Sequence, residues 1–175
     1  VGMLADIGVS HVLIGHSERR HTIGHHEDDA MLNAKLRAVL EDGRLTPILC
    51  VGETLQERKD NRTERVLTYQ IRAAFIGLQP SSPQKLIIAY EPVWAIGTGQ
   101  TATPEQAQAA HRHIRSELAV LFSTNVAESV RILYGGSVTP ENAASLFSQP
   151  DVDGGLVGGA SLNADSFSAI IRAAG

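Results

Sequence analysis

One cysteine in the whole chain, Cys50, leaves no partner for an intramolecular disulfide, which fits a reducing compartment. Lysine is nearly as scarce, with only Lys35, Lys59 and Lys85. The arginines are scattered and the formal charge is -4, so no basic stripe exists to follow a phosphate backbone, which argues against nucleic acid. The one basic doublet, Arg19-Arg20, sits beside Glu18. No apolar run approaches the roughly 20 residues of a membrane-spanning helix, and no charged-then-apolar leader opens the chain, whose first residue is Val rather than Met. The expectation is a cytoplasmic protein with neither membrane nor nucleic acid as partner. What remains is an ordinary globular balance, 43% hydrophobic and 19% charged. Its 175 residues suit a single domain over 1–175 with its own core.

Five short runs of β-branched and aliphatic residues read as strands: Val12-Leu13-Ile14, Pro47-Ile48-Leu49-Cys50-Val51, Leu86-Ile87-Ile88-Ala89-Tyr90, Val130-Arg131-Ile132-Leu133-Tyr134, and 152–157. Most are continuously apolar rather than alternating, the pattern of strands covered on both faces in a parallel sheet. Helical patterns separate them. Thr54-Leu55-Gln56-Glu57 is a capping box, and 62–75 carries Val66, Leu67, Ile71 and Phe75 at helical spacing. Thr103-Pro104-Glu105-Gln106 is a second box, followed by Ala107, Ala110, Ile114, Leu118 and Leu121 on one face. Thr139-Pro140-Glu141-Asn142 predicts a third helix opening in the same way and running to about Phe147. The Pro/Ser cluster at 79–84 reads as a loop. Strand followed by helix, five times over, argues an α/β fold, either an open doubly wound sheet or part of a barrel.

Parallel α/β sheets place their sites beyond the C-terminal ends of the strands, and there the chain has Gly15-His16-Ser17-Glu18, Glu91-Pro92, Gly135-Gly136-Ser137 and Gly158-Gly159. A carboxylate such as Glu91 at the end of a buried strand is costly without compensation. It could simply be held by a structural partner. The segment behind it favours a functional reading, because small residues that absorb dihedral change (Ala95, Gly97, Gly99) flank large apolar ones that seal a cavity (Trp94, Ile96), the composition of a lid. His16 could be a satisfied core histidine, but it stands just before an expected helix start, where the dipole disfavours a positive ring. A neutral imidazole can donate to a carbonyl while Glu91 removes the α-proton, which together is enolisation. The two glycine turns offer unobstructed N–H groups of the kind that bind phosphate. Other candidates are weaker. His25-His26-Glu27 and His111-x-His113 lack a second ligand cluster for a metal and read as solvated, Cys50 reads as a small core residue, and Ser17 lacks the pattern of a nucleophile elbow.

Taken together, Gly15-His16-Ser17-Glu18-Arg19-Arg20, Ala89-Tyr90-Glu91-Pro92-Val93-Trp94-Ala95-Ile96-Gly97-Thr98-Gly99, Tyr134-Gly135-Gly136-Ser137-Val138 and Gly154-Gly155-Leu156-Val157-Gly158-Gly159-Ala160-Ser161-Leu162 resemble the triosephosphate isomerases over essentially the whole chain. Cys50-Val51-Gly52-Glu53 also fits. The resemblance implies a (β/α)8-barrel ancestry, here about five βα units of an incomplete parallel barrel. It implies interconversion of dihydroxyacetone phosphate and glyceraldehyde 3-phosphate, in glycolysis and gluconeogenesis, without cofactor or metal. His16 would be the electrophile, Glu91 the proton-shuttling base, and Gly97, Ser137, Gly158 and Gly159 the phosphate ligands. Pro92, Val93, Trp94, Ala95, Ile96, Thr98 and Gly99 would form the lid with Gly97.

A full barrel of this kind needs about 250 residues, so the resemblance also implies that three βα units lie outside this chain. With them go the family's Asn-x-Lys, whose lysine would pair with Glu18, and the third-strand loop of dimerisation. None of the three lysines here reads as a substitute. A homo-oligomer is expected. The alternative to an active isomerase is a weakly active or inactive phosphate-binding fragment that folds by self-association.

Overall fold

The computed structural model describes residues 1–79 and 85–175. From residue 80 on, the loop expected over 79–84 lies outside them. The chain runs α1 (Gly2–Asp6), β1 (His11–Ile14), α2 (Ser17–His21), α3 (Asp29–Asp42), β2 (Thr46–Val51), α4 (Leu55–Lys59), α5 (Thr63–Ala74), β3 (Ile87–Tyr90), α6 (Pro104–Leu121), α7 (Thr124–Ser129), β4 (Arg131–Tyr134), α8 (Ala143–Phe147) and α9 (Ala164–Ala173). Short 3-10 turns occupy Val93–Ala95 and Gly159–Leu162. The four strands form one parallel sheet in the order β1-β2-β3-β4, an incomplete barrel-like arc flanked by helices. No helix among the described residues is long and apolar enough to cross a membrane.

Register explains the burial. Ile14, Leu49, Ile88 and Ile132 lie side by side across the sheet and are buried against the helices, as are the next row of that face, Val51, Tyr90 and Tyr134. The helices present Leu32 and Leu36 from α3, Leu67 and Ile71 from α5, and Ala107, Ile114 and Leu118 from α6 to this layer, in the i, i+3, i+4 spacing of an amphipathic helix. On the other face Cys50 and Ala89 are fully buried. Leu13, on β1, is 48% exposed there, because β1 has a strand on one side only.

Two expected elements differ. The run 152–157 follows β4 through bonds from Tyr134 N to Gly154 O and from Leu156 N to Tyr134 O, both 2.9 Å, yet it forms only the single bridge Tyr134–Gly155. Gly154 takes φ +143°, which turns the chain out of strand geometry, and the Asp153 carboxylate accepts the Ile132 N–H at 2.7 Å in place of a backbone carbonyl. The third expected box does not open a helix at Thr139. The Asn142 side chain accepts the Thr139 N–H at 2.8 Å, the half of a box that Glu57 and Gln106 also make, but the Asn142 N–H goes to the Thr139 carbonyl at 3.3 Å rather than to its hydroxyl, and the helix begins at Ala143. The boxes at Thr54 and Thr103 form as expected.

Candidate active site

The ends of β1, β3 and β4, together with residues 156–160, line one cavity of about 430 Å³ whose walls include Leu13, His16, Glu91, Ile96, Gly97, Ser137, Gly158 and Gly159. The sequence-predicted base, electrophile and phosphate ligands therefore share one concavity. Glu18 does not line it. Its side chain is 61% exposed and borders a neighbouring cavity with Arg19, Glu27 and Lys35. There Glu27 is buried and takes both cations, Arg19 at 3.0 Å and Lys35 as a second partner, so neither is directed toward the base. Burial raises the Glu27 carboxyl, but Lys35 and Arg19 more than offset this and leave it below the ordinary carboxylate range.

Glu91 leaves β3 directly into the cavity and is 2% exposed. One carboxylate oxygen accepts the Ser17 N–H at 2.8 Å and the other lies 3.0 Å from His16 Nε2. Burial pushes the Glu91 carboxyl up, and His16, the Ser17 amide and Arg20 offset only part of that. His16 is the N-cap of α2, and its Nδ1 accepts the Glu18 N–H at 3.3 Å. A ring that accepts at Nδ1 carries its proton on Nε2, the nitrogen that faces the carboxylate and the cavity.

Beneath Glu91 the sheet is unusually close-packed. A Cβ placed on Gly52 would stand 1.8 Å from the Glu91 carbonyl oxygen, so only glycine lets the β2 end lie against the Glu91 peptide. Gln70 closes both backbone groups of Gly52, accepting its N–H at 2.8 Å and donating to its carbonyl at 3.2 Å.

The segment expected to form the lid begins at Pro92 and passes through the turn Val93–Ala95. Val93 N donates to Glu53 O, and Ala95 O accepts the Ser137 N–H at 2.9 Å. Thr98 Oγ1 donates to Trp94 O at 2.7 Å. Gly97 and Gly99 have φ of +66° and +77°, a left-handed region that suits glycine. Among the described residues the amides of Gly158 and Gly159 donate to no partner.

The contacts of two buried polar residues were not legible in the sequence. Glu53 is fully buried and receives the Tyr90 hydroxyl at 3.0 Å, Trp94 Nε1 at 2.9 Å and the Arg58 guanidinium at 3.2 Å, so it anchors the segment that follows Pro92. His111, expected in solvent, is instead wholly buried, its Nδ1 3.1 Å from Asp151 O. The expectation failed because α6 turns this position inward beside Ala107 and Ile114. Among the described residues no three His, Cys, Asp or Glu side chains gather as a metal site requires. Cys50 is buried as expected, and burial together with Glu91 holds its thiol well above the usual range.

Burial also lowers His111 from 6.5 to about 4. In that interval the unfolded chain holds the proton and the folded chain does not, so stability rises with pH. The contribution is present above about 6.5 and is lost as pH falls toward 4. Going from pH 7 to pH 5 should remove about 2 kcal/mol through this group. Urea unfolding of the parent and His111→Phe at both pH values checks it, since the variant should lack that share of the loss.

The triosephosphate isomerase family model matches residues 1–174. A triosephosphate isomerase of Geobacter metallireducens is 56% identical over 171 residues, covering 98% of this chain and 67% of the relative. One from Fusobacterium nucleatum is 55% identical, with the same coverage, and one from Chlorobaculum tepidum is 54% identical over 99% of this chain and 69% of its own length. The chain thus spans about two thirds of the curated relatives it matches. With a match along nearly its full length, the chain belongs to the triosephosphate isomerase family.

Proposed function

We propose that the chain carries the proton-transfer site of a triosephosphate isomerase, converting dihydroxyacetone phosphate and glyceraldehyde 3-phosphate into one another through an enediolate. The observation that carries this reading is the pairing of Glu91 and His16 Nε2 at 3.0 Å in the cavity that also holds the Gly158 and Gly159 amides. His16 Nε2–H donates to the substrate carbonyl, Glu91 takes the proton from the adjacent carbon, and the C–H electron pair becomes the C=C bond of the enediolate. The carbonyl π pair moves onto its oxygen; Glu91 then returns the proton to the former carbonyl carbon while the hydroxyl proton passes to that oxygen, so the carbonyl moves by one carbon and no net atom is gained or lost. To act, its carboxylate has to release the Ser17 N–H or His16. Its raised affinity for protons brings it closer to the strength a base needs near neutral pH. Gly97, Ser137, Gly158 and Gly159 hold the phosphate, and residues 92–99 exclude the water that would otherwise reach the enediolate.

Among the described residues Glu18 has no Lys or Arg lining the cavity to act with. Losing one preorganised donor typically lowers turnover about 100- to 1000-fold. This observation favours a second reading, a phosphate-binding fragment of low turnover whose open β1 edge is covered by self-association. A coupled assay of glyceraldehyde 3-phosphate turnover tests the first reading; turnover no higher than that of Glu91→Gln defeats it. Size in solution tests the self-association, which a stable dilute monomer contradicts.

A further inference from the structure

His111 lies in α6, the helix that follows the lid. Its ring is wholly buried, and its Nε2 has no hydrogen-bond partner among the described residues. Buried polar atoms are normally satisfied, and an apolar ring would fill the same space without leaving one bare. Packing alone does not account for an imidazole here.

The ring's surroundings do. Its edge meets Tyr90 at 88° and 5.7 Å between centroids, and it lies 6.4 Å from Tyr134 at 34°. The two tyrosines are themselves 6.4 Å apart, so the three rings form one buried cluster. Each tyrosine hydroxyl leads to a different end of the lid. Tyr90 donates to Glu53, the acceptor of Trp94 Nε1. Tyr134 accepts the N–H of Ala102 at 3.3 Å, beyond Gly99 and just before α6. The imidazole is held from behind by Asp151 O, which also accepts Arg115 at 3.2 Å and so stays satisfied if His111 is replaced.

We propose that His111 is a positioning residue for the lid, its ring held by Asp151 so as to set the two tyrosines that tie down Trp94 at one end and Ala102 at the other. This rests on reading residues 92–99 as the lid of the site proposed above.

Trp94 is the single tryptophan of the chain, so its fluorescence reports on the lid without any ligand or turnover. In the ligand-free chain at pH 7, His111→Phe should keep an unfolding midpoint no lower than the parent's, while acrylamide quenches Trp94 with about a two-fold larger constant as the local tether loosens. Unchanged quenching in folded His111→Phe overturns the proposal, as does a rise that merely tracks lost stability. Should that variant not fold, His111→Asn reads the same point, because its amide can still reach Asp151 O but presents no ring to the tyrosines. Quenching should rise there too, and parent-like quenching in folded His111→Asn overturns the proposal. Addition of inorganic phosphate to the parent is scored separately. Failure of Trp94 to respond counts against the phosphate site alone and leaves the ligand-free comparison decisive.

Discussion

Glu91→Gln should bring turnover of glyceraldehyde 3-phosphate about 10²- to 10⁴-fold below that of the parent chain, the usual share of a general base, while leaving the protein folded. The two effects separate because the carboxylate is poorly suited to its surroundings as a structural group. It is buried, its pKa is raised chiefly by that burial, and a neutral amide of the same shape is cheaper to bury. The amide oxygen can keep the Ser17 N–H, but its NH2 cannot accept from His16 Nε2, so one of the two present contacts is lost. Unfolding at pH 7 should therefore show equal or greater stability in the variant. Glu91→Asp retains the charge but withdraws it by one carbon, and a misplacement of about 1 Å costs roughly 10²-fold. In the parent, activity should rise with pH through a pKa above the ordinary carboxylate range, because the base works only when ionised. Turnover equal in parent and Glu91→Gln would remove Glu91 from the mechanism.

Gly52→Ala should damage both fold and site. The added methyl would sit 1.8 Å from the backbone oxygen of Glu91 and 2.5 Å from its carbonyl carbon, and no side-chain rotation relieves a clash with backbone. Either β2 and β3 separate at their ends or Glu91 moves. The expected loss is at least about 3 kcal/mol, the upper end for overpacking a core, or a fall of about 1 to 3 M in the urea midpoint. Gly158→Ala provides the contrast. Gly158 has φ -91° and its Cβ would meet nothing within 4 Å, so stability should hold. The methyl would intrude where phosphate is expected, and the Michaelis constant should rise. If Gly52→Ala unfolds at the parent midpoint, the close approach of β2 to the base is not a constraint in solution. If Gly158→Ala binds phosphate as the parent does, that glycine is only a turn residue.

Much of this was legible in the sequence because it depended on neighbours along the chain. The Thr54 and Thr103 boxes reach only three residues ahead, and continuous apolar runs locate β1 to β4 through local composition. The same locality explains the misses. Residues 152–157 have a strand's composition, but Gly154 and the Asp153 carboxylate, which serves Ile132 and Arg115 at once, prevent a regular ladder. The Thr139 segment has the letters of a box and keeps one of its bonds, but the Asn142 N–H goes to the Thr139 carbonyl instead of the hydroxyl. In the site, Glu91 and His16 could be picked out because a carboxylate and an imidazole at strand ends are unusual wherever the strands go. Glu53 and His111 could not. Their roles lie in contacts to residues 37 and 41 positions away for Glu53 and 40 for His111, and no local pattern encodes those distances.

Strand order has a consequence for how the molecule is made. Each strand pairs with the one synthesised just before it, so a chain emerging from the ribosome can add every new strand to an edge already in place. No strand has to thread between two that have paired. Growth of this kind has no privileged starting point, and further βα units could be laid against the free side of β1 without rearranging the pairs present. On this view the sheet behaves as an open-ended series, and an evolutionary loss or gain of whole units at its margin would leave the registers of the remaining strands intact.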